Sequence, residues 1–362
     1  MMMTVWNTLE LRNLCSRLSS GKNIAAKDIS EIGPYPVYGG NGIRGYTDTY
    51  NFDGECAIIG RQGAKCGNVR YFKGRAYMTE HAVVTCANDE NNTRFLAYLL
   101  GTMQLGRLSG QSAQPGLSVK TLGIQEVNVP DLLTQRKISC LLGEFDDLIE
   151  HNKVVNKNLS VLIQTIYQKR FTSKYQGMLS DICMYSKERI SVDDLTLDAY
   201  FSTENMLPNK AGVTTATSLP STAQTTKCHI GDVLISNIRP YFKKILYCHR
   251  EGGCSSDVLC FSPSSKKLSA FLYGVLYSDS FFDFMVAGSK GTKMPRGDKQ
   301  QIMTYPIYVP TNDELDEYNA IAMPILDDIY RNAMENSNLS SLRDTLLPRL
   351  ISGEVDVSSV KI

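Results

Sequence analysis

Residues 131–171 and 311–351 carry the same helical pattern, the second displaced from the first by 180 positions. In the first, Ile138, Phe145, Asn152, Leu159 and Ile166 form one seven-residue row. Leu141, Leu148, Val155 and Leu162 form a companion row three positions on. Read as a and d positions, these rows make a seam sustained over about four heptads, with one polar residue, Asn152, in the a row. Adding 180 gives Ile325, Asn332, Leu339 and Leu346 in a, and Ile321 and Leu342 in d. Val129-Pro130 returns as Val309-Pro310. Asp147, Ile149, Asn158, Ser160 and Thr165 return as identical residues. Two seams of one length and register most simply pair with each other, as a spine of two helices each about 60 Å long. The second helix places Asp328 and Glu335 in d, where the first has Leu148 and Val155. A buried Asn costs stability and fixes register. The pattern therefore predicts that Asn152 faces Asp328 or Glu335, and that these residues with Asn332 align the spine.

The segments before the two helices also repeat in order. ECAIIG (55–60), NVRYF (68–72) and AVVTC (82–86) read as strands. A helix follows, capped by Asn92, with Phe95, Leu96, Leu99 and Leu100 on its apolar face. In the second half DVLIS (232–236), KILYC (244–248) and DVLCF (257–261) are strands, and Phe271, Leu272, Val275 and Leu276 repeat the helix face. The loop GRQGAKCG (60–67) has its counterpart in NIRPYFK (237–243). The loop SGQSAQPGLSV (109–119) has its counterpart in GSKGTKMPRGDKQQI (288–302). Strands, helix, loop and long helix thus occur twice, which is an internal duplication. YPVYGGNGIRGY (35–46) reads as an exposed glycine-rich loop between strands. Gly40, Gly42 and Gly45 satisfy G-x-G-x-x-G, but turn residues follow instead of a helix, so a dinucleotide site is not expected.

Charge and composition narrow the function. The net charge is +1, so nucleic-acid binding must rest on local clusters of Lys and Arg. No apolar run approaches a membrane span, and the first residues lack the pattern of a secretory signal. Ten cysteines in that context read as reduced thiols in a cytoplasmic protein. Cys248, His249, Cys254 and Cys260 lack zinc-finger spacing and read as buried small hydrophobes, and His81 as a core or hairpin histidine. The chain has no Pro-Pro, hence no Asn/Asp-Pro-Pro-Tyr methyltransferase motif. It has no phosphate loop and no Asp/Glu-x-Lys nuclease element. Catalysis, cofactors and metal are not expected in this chain.

The chain resembles the specificity subunits of type I restriction–modification systems along essentially its whole length. The resemblance rests on YPVYGGNGIRGY, GRQGAKCGNVRYF, GQSAQPGLSVKTLGIQEVNVP running into TQRKI, GTKMPRGDKQQI, and the ending LRDTLLPRLISGEV (342–355). VPTNDELDEYNAI departs from the family in lacking a second Gln. The resemblance implies duplicated α/β (α+β) globular target-recognition domains, separated by two long antiparallel coiled-coil helices with pseudo-twofold symmetry. The divisions would be 1–130 and 176–308 for recognition domains, 131–175 and 309–355 for helices, and 356–362 for a tail. Implied partners are double-stranded DNA with a bipartite target, two methyltransferase subunits, and in a full restriction complex two restriction/motor subunits. S-adenosylmethionine, ATP and Mg would sit on those subunits. The spine would set the unread gap and dock the methyltransferases.

Reading DNA needs Arg or Lys for phosphate and guanine, and Gln or Asn for adenine, on protruding loops. Arg61, Gln62, Lys65 and Asn68 meet this in the first half, and Arg239, Lys243 and Lys244, with Tyr241 between, in the second. Gln111, Gln114, Lys290, Lys293 and Arg296, on the loops before each long helix, are the second set.

Overall fold

The computed structural model describes residues 6–63, 65–109, 116–171 and 176–361. It divides into two compact units, Met1–Ile149 with Ser337–Ile362, and Glu150–Asn336. Each long helix contributes to both. The helices span Leu132–Phe171 and Asn312–Ile351, 40 residues each, within one residue of the limits expected from the heptads.

The first unit holds a six-stranded sheet. Its order is Cys15–Ser20, Ala82–Ala87, Phe52–Gly60, Val69–Met78, Tyr35–Gly39 and Gly42–Thr47. YPVYGGNGIRGY is thus two paired strands and not a free loop. Val37 is fully buried, and only Gly40-Asn41 make the turn. The alternation of Val37 and Gly39 with Pro36 and Tyr38 is a period-two signal that the glycine content masked. The Gly40, Gly42 and Gly45 triplet lies in this hairpin, followed by strand. Helix Thr93–Thr102 covers the sheet. The Asn92 side chain accepts from Phe95 N at 2.8 Å, and Phe95, Leu96, Leu99 and Leu100 are all buried. That face packs with Ile138 and Leu142 of the first long helix and Leu350 and Ile351 of the second.

Gln135, from TQRKI, is 1% exposed and ties this corner together. It accepts from Asn92 N at 2.9 Å and donates to Asn91 Oδ1 at 2.8 Å and Pro130 O at 2.9 Å. Position 315, where the repeat lacks the Gln, is Leu315, buried in the apolar core of the second unit. One repeat uses a satisfied polar knot where the other uses plain burial.

The second unit has two four-stranded sheets. One runs Cys183–Tyr185, Val258–Pro263, Val233–Ser236, Ile245–Tyr247. The other runs Arg189–Ser191, Gln224–Cys228, Gly252–Cys254, Tyr200–Phe201. Helix Ser269–Tyr277 buries Phe271, Leu272, Val275 and Leu276, as the 176-residue spacing from Phe95 implies. Tyr167 and Phe171 of the first long helix pack there against Phe271 and Tyr318.

The companion row of the seam needs correction. Leu148, Leu162, Ile321 and Leu342 are 40%, 47%, 39% and 54% exposed, whereas Leu142, Ile149 and Ile163 are buried. The inward row therefore lies four positions after the first row, not three. Rows at +3 and +4 both flank a given row at 3.6 residues per turn. In the first helix the +3 row is uniformly apolar, which masks its outward position. The +4 row contains Asn156 in the first helix and Asn336 in the second. Within the second unit the helices are antiparallel, since Arg170 pairs with Glu317 at 3.0 Å and Asn156 with Asn332 at 2.8 Å. In the first unit Arg343 pairs with Asp146 at 2.6 Å.

Candidate nucleic-acid interface

In the first unit the strand Phe52–Gly60 ends at the loop carrying Arg61, Gln62, Lys65 and Asn68. Glycine is required where this loop is tightest: a Cβ at Gly60 would sit 2.3 Å from Gly40 O. At Gly67 (φ +81°) a Cβ would sit 2.1 Å from Gly106 N. The loop is thereby pressed against both the hairpin tip and the segment Leu105–Leu108. Arg61 is half-buried, its backbone bonded to His81 O and its Nη1 donating to Ser20 Oγ at 3.3 Å. Gln62, Lys65 and Asn68 are exposed. Gln62 pairs with Gly116, and Leu117 N donates to Arg61 O at 2.8 Å, so the loop before the long helix meets the loop after the central strand. Gln111 and Gln114 lie outside the described residues.

A depression of about 410 Å³ opens beside this loop, lined by Lys65, Asn68, Gln104 and Arg107 among others. Arg107 is a candidate that the sequence did not single out. Its only signal was a basic residue just past a helix end, facing no acidic neighbour in sequence. Arg44 and Arg70 stand on the hairpin and the strand Val69–Met78. A Cβ on Gly39 would meet Arg44 Cδ at 2.7 Å, and Arg70 Nη2 donates to Asn41 O at 3.3 Å.

The second unit repeats the arrangement. Ile238 pairs with Arg296, Lys290 pairs with Arg296, and Arg239 N donates to Pro295 O at 2.8 Å. The loop 237–244 and the loop 288–296 are thus one surface, carrying Arg239, Tyr241, Lys290, Lys293 and Arg296. Their side chains are engaged to different degrees. Lys290 and Arg296 are exposed but paired with Asp298 (2.6 Å) and Asp257 (3.0 Å). Lys293 is exposed, and no ion-pair partner stands beside it among the described residues. Lys243 Nζ lies 2.7 Å from Asp279 Oδ1, and that bond and one from Lys210 hold the Asp279 carboxyl below its ordinary range. Lys244 Nζ donates to Thr203 O at 2.5 Å, and burial lowers its pKa. The last two lysines therefore brace the loop.

On the spine, Asn152 is 6% exposed and donates from Nδ2 to Glu335 Oε2 at 2.9 Å and to Asn336 Oδ1 at 3.0 Å. Asn332 Nδ2 donates to Asn156 Oδ1 at 2.8 Å. Asp328 is not part of this layer; it pairs along its own helix with Arg331. Its position belongs to the outward +3 row, as does that of Glu335, whose longer side chain reaches back to Asn152. Asn156 and Asn336 are members that sequence reading missed, although they too repeat at 180.

The cysteines are all free, and Cys228, Cys248, Cys254 and Cys260 share one small core with Phe201, Met206 and Leu234. A hydrogen bond from Cys228, then burial, hold the Cys248 thiol well above its ordinary pKa. Among the described residues no three His, Cys, Asp or Glu side chains are placed to hold a metal ion, and no helix is long and apolar enough to cross a membrane.

Residues 3–160 match the model of the type I restriction modification DNA specificity domain. That segment contains the whole of the first loop cluster. The first part of the chain is thus similar to that domain. Among relatives, the specificity subunit of the Escherichia coli type I restriction enzyme EcoprrI is 42% identical over 136 residues. Those residues are 36% of this chain and 34% of that protein, so the match spans about a third of the relative's length. The MjaIX specificity subunit of Methanocaldococcus jannaschii is 21% identical over 308 residues, 74% of this chain and 70% of that one. The crystal structure of a type I restriction–modification S subunit from M. genitalium matches over 97% of both chains. Its TM-score is 0.60 at 17% identity, a likeness of fold.

Proposed function

We propose that this chain is the DNA sequence-specificity subunit of a cytoplasmic type I restriction–modification complex, without catalysis of its own. One loop cluster in each unit reads one half of a bipartite duplex target. The observation carrying this is the same junction built twice from different residues: Gln62 with Gly116, and Ile238 with Arg296. A duplicated scaffold that keeps its junction and varies its side chains suits two half-sites of different sequence. Arg61, Gln62, Asn68 and Arg107 serve the first half-site, and Arg239, Tyr241, Lys293 and Arg296 the second.

The helices set the gap between half-sites and dock two methyltransferase subunits. Support for docking comes from the +3 row, apolar yet exposed. Leu162 of the first helix and its repeat mate Leu342 of the second are 47% and 54% exposed, and Val154 and Val161, each one position before that row, are 51% and 58% exposed. Solvent-facing aliphatic residues in one helical stripe fit a partner protein. In the second helix the same row keeps Ile321 and Leu342 exposed, with the acidic Asp328 and Glu335 between them. S-adenosylmethionine, ATP and Mg belong to the partners, with restriction subunits joining where cleavage occurs.

The test is to co-express the chain with the methyltransferase subunit encoded beside it and to map modified bases across the genome. A single bipartite motif that disappears when this chain is omitted is the expected result. A stable complex that methylates nothing would leave a coiled-coil adaptor in its place.

A further inference from the structure

We propose that Tyr241 and Phe242 form a stacking wedge that enters the base stack of the second half-site; this rests on the function proposed above. The two rings lie on a single turn, Pro240–Phe242, with centroids 4.7 Å apart, and are 49% and 38% exposed. The turn is bracketed by two non-glycine residues in the left-handed region, Arg239 (φ 51°) and Lys243 (φ 49°). Such conformations persist only where the surroundings enforce them, and they gather at functional sites.

The surroundings here do enforce them. Phe242 N donates to Arg239 O and Lys243 N to Pro240 O, both at 2.9 Å. From the other side Asn209 N donates to Phe242 O at 2.7 Å and Lys210 N to Lys243 O at 2.9 Å. Asn209 and Lys210 are themselves left-handed, at φ 56° and 60°. Lys210 and Lys243 share the Asp279 carboxylate at 2.9 and 2.7 Å. Backbone bonds and ion pairs thus fix the turn, while its two aromatic side chains are left to solvent.

A rigid aromatic pair outside the core offers ring faces at the surface. It suits a flat, apolar, laterally uncharged target, which a nucleobase step supplies. Proteins that insert apolar side chains between bases unstack the step and bend the duplex. The cations adjoin the rings on the same surface: Arg239 Nη2 donates to Lys293 O at 3.4 Å, which sets both beside the turn to meet phosphates while the rings meet bases.

The experiment uses the complex of the full chain with its methyltransferase subunit. The probe is a duplex bearing the motif found by methylation mapping, with 2-aminopurine substituted position by position through the second half-site. The wild-type complex is expected to raise the fluorescence at one step. Tyr241→Ala with Phe242→Ala should abolish that rise and weaken binding about tenfold or more, from the loss of stacking. The salt dependence should stay unchanged, because no phosphate contact is removed. Tyr241→Phe should retain the rise, since the ring and not the hydroxyl acts. Unchanged thermal melting of the double variant checks the fold. No rise at any position, or a rise that survives the double variant, overturns the wedge alone. A wild-type complex with no methylated motif and no salt-dependent DNA binding overturns the wedge and the proposed function together.

Discussion

Asn152 donates to Asn336 at 3.0 Å, and the 180-residue shift converts this bond into the one that Asn332 donates to Asn156 at 2.8 Å. One polar layer is thus made of two copies of one contact, a local two-fold arrangement inside the second unit. Truncating one partner strands an amide in a desolvated seam. Asn152→Leu or Asn336→Leu should each lower stability by about 1–3 kcal/mol. The double replacement should recover much of that loss, because two apolar residues leave nothing unsatisfied. Urea unfolding of the four species as a double-mutant cycle measures it. Simple addition of the two single costs would show that the side chains do not interact.

Gln135 offers a second cycle, this one between repeats. Gln135→Leu copies into the first repeat what Leu315 already is in the second. The neighbours differ, however: Asn92 N, Asn91 Oδ1 and Pro130 O all depend on the Gln135 amide. The substitution should cost about 1–3 kcal/mol. Hydrogen exchange at the Asn92 amide should rise with it. Unaltered protection there would mean that water replaces the amide at no cost.

His249 should give the second unit an acid-sensitive element. Its ring stacks on Tyr330 (centroids 4.5 Å, 14°), with Tyr247 edge-on at 4.8 Å and Asp327 Oδ1 3.5 Å from Nδ1. Burial lowers its pKa from 6.5 to about 4, against the opposite pull of Asp327. Between those two values the unfolded chain binds a proton that the folded one refuses. Stability is therefore full above pH 6.5 and is lost as pH falls toward 4, by at most about 3 kcal/mol. His249→Phe keeps the stacking and removes the titration. Thermal melting from pH 7 to 4.5 should fall less steeply for this variant than for wild type, and parallel curves would refute the assignment.

Much of the fold was legible because periodicity is a local signal. The limits of both long helices, the Asn92 cap and the buried face of Phe95 and Phe271 all follow from residue type and spacing. The inward companion row was not legible. Leu141, Leu148, Val155 and Leu162 are more apolar than Leu142, Ile149, Asn156 and Ile163, so hydrophobicity pointed to the wrong side of the helix. An outward apolar row is what a protein with an external partner carries, and a single sequence cannot tell partner from core. Loop chemistry was legible only by segment. Which cation is free depends on acidic residues far away in sequence, such as Asp279 for Lys243 and Asp257 for Arg296.

That distinction yields the last prediction. From sequence alone Lys243 and Lys244 are the obvious phosphate contacts, and replacing either is expected to weaken DNA binding. In the folded chain their ammonium groups are held by Asp279 and Thr203 O, while Lys293 is exposed and has no ion-pair partner among the described residues. A residue that contacts a phosphate releases a counterion, so losing it reduces the slope of log affinity against log salt by about 0.9. Lys293→Ala, in the methyltransferase complex, should show that reduction with unchanged thermal stability. Lys243→Ala should weaken binding by a different route: the turn at Pro240–Phe242 loses its tie to Asp279, melting shifts downward, and the salt slope is kept. Titrations from about 50 to 200 mM salt, a range over which a several-contact interface loses orders of magnitude, separate the two. A reduced slope for Lys243→Ala and an unchanged one for Lys293→Ala would reverse the roles given to these two lysines.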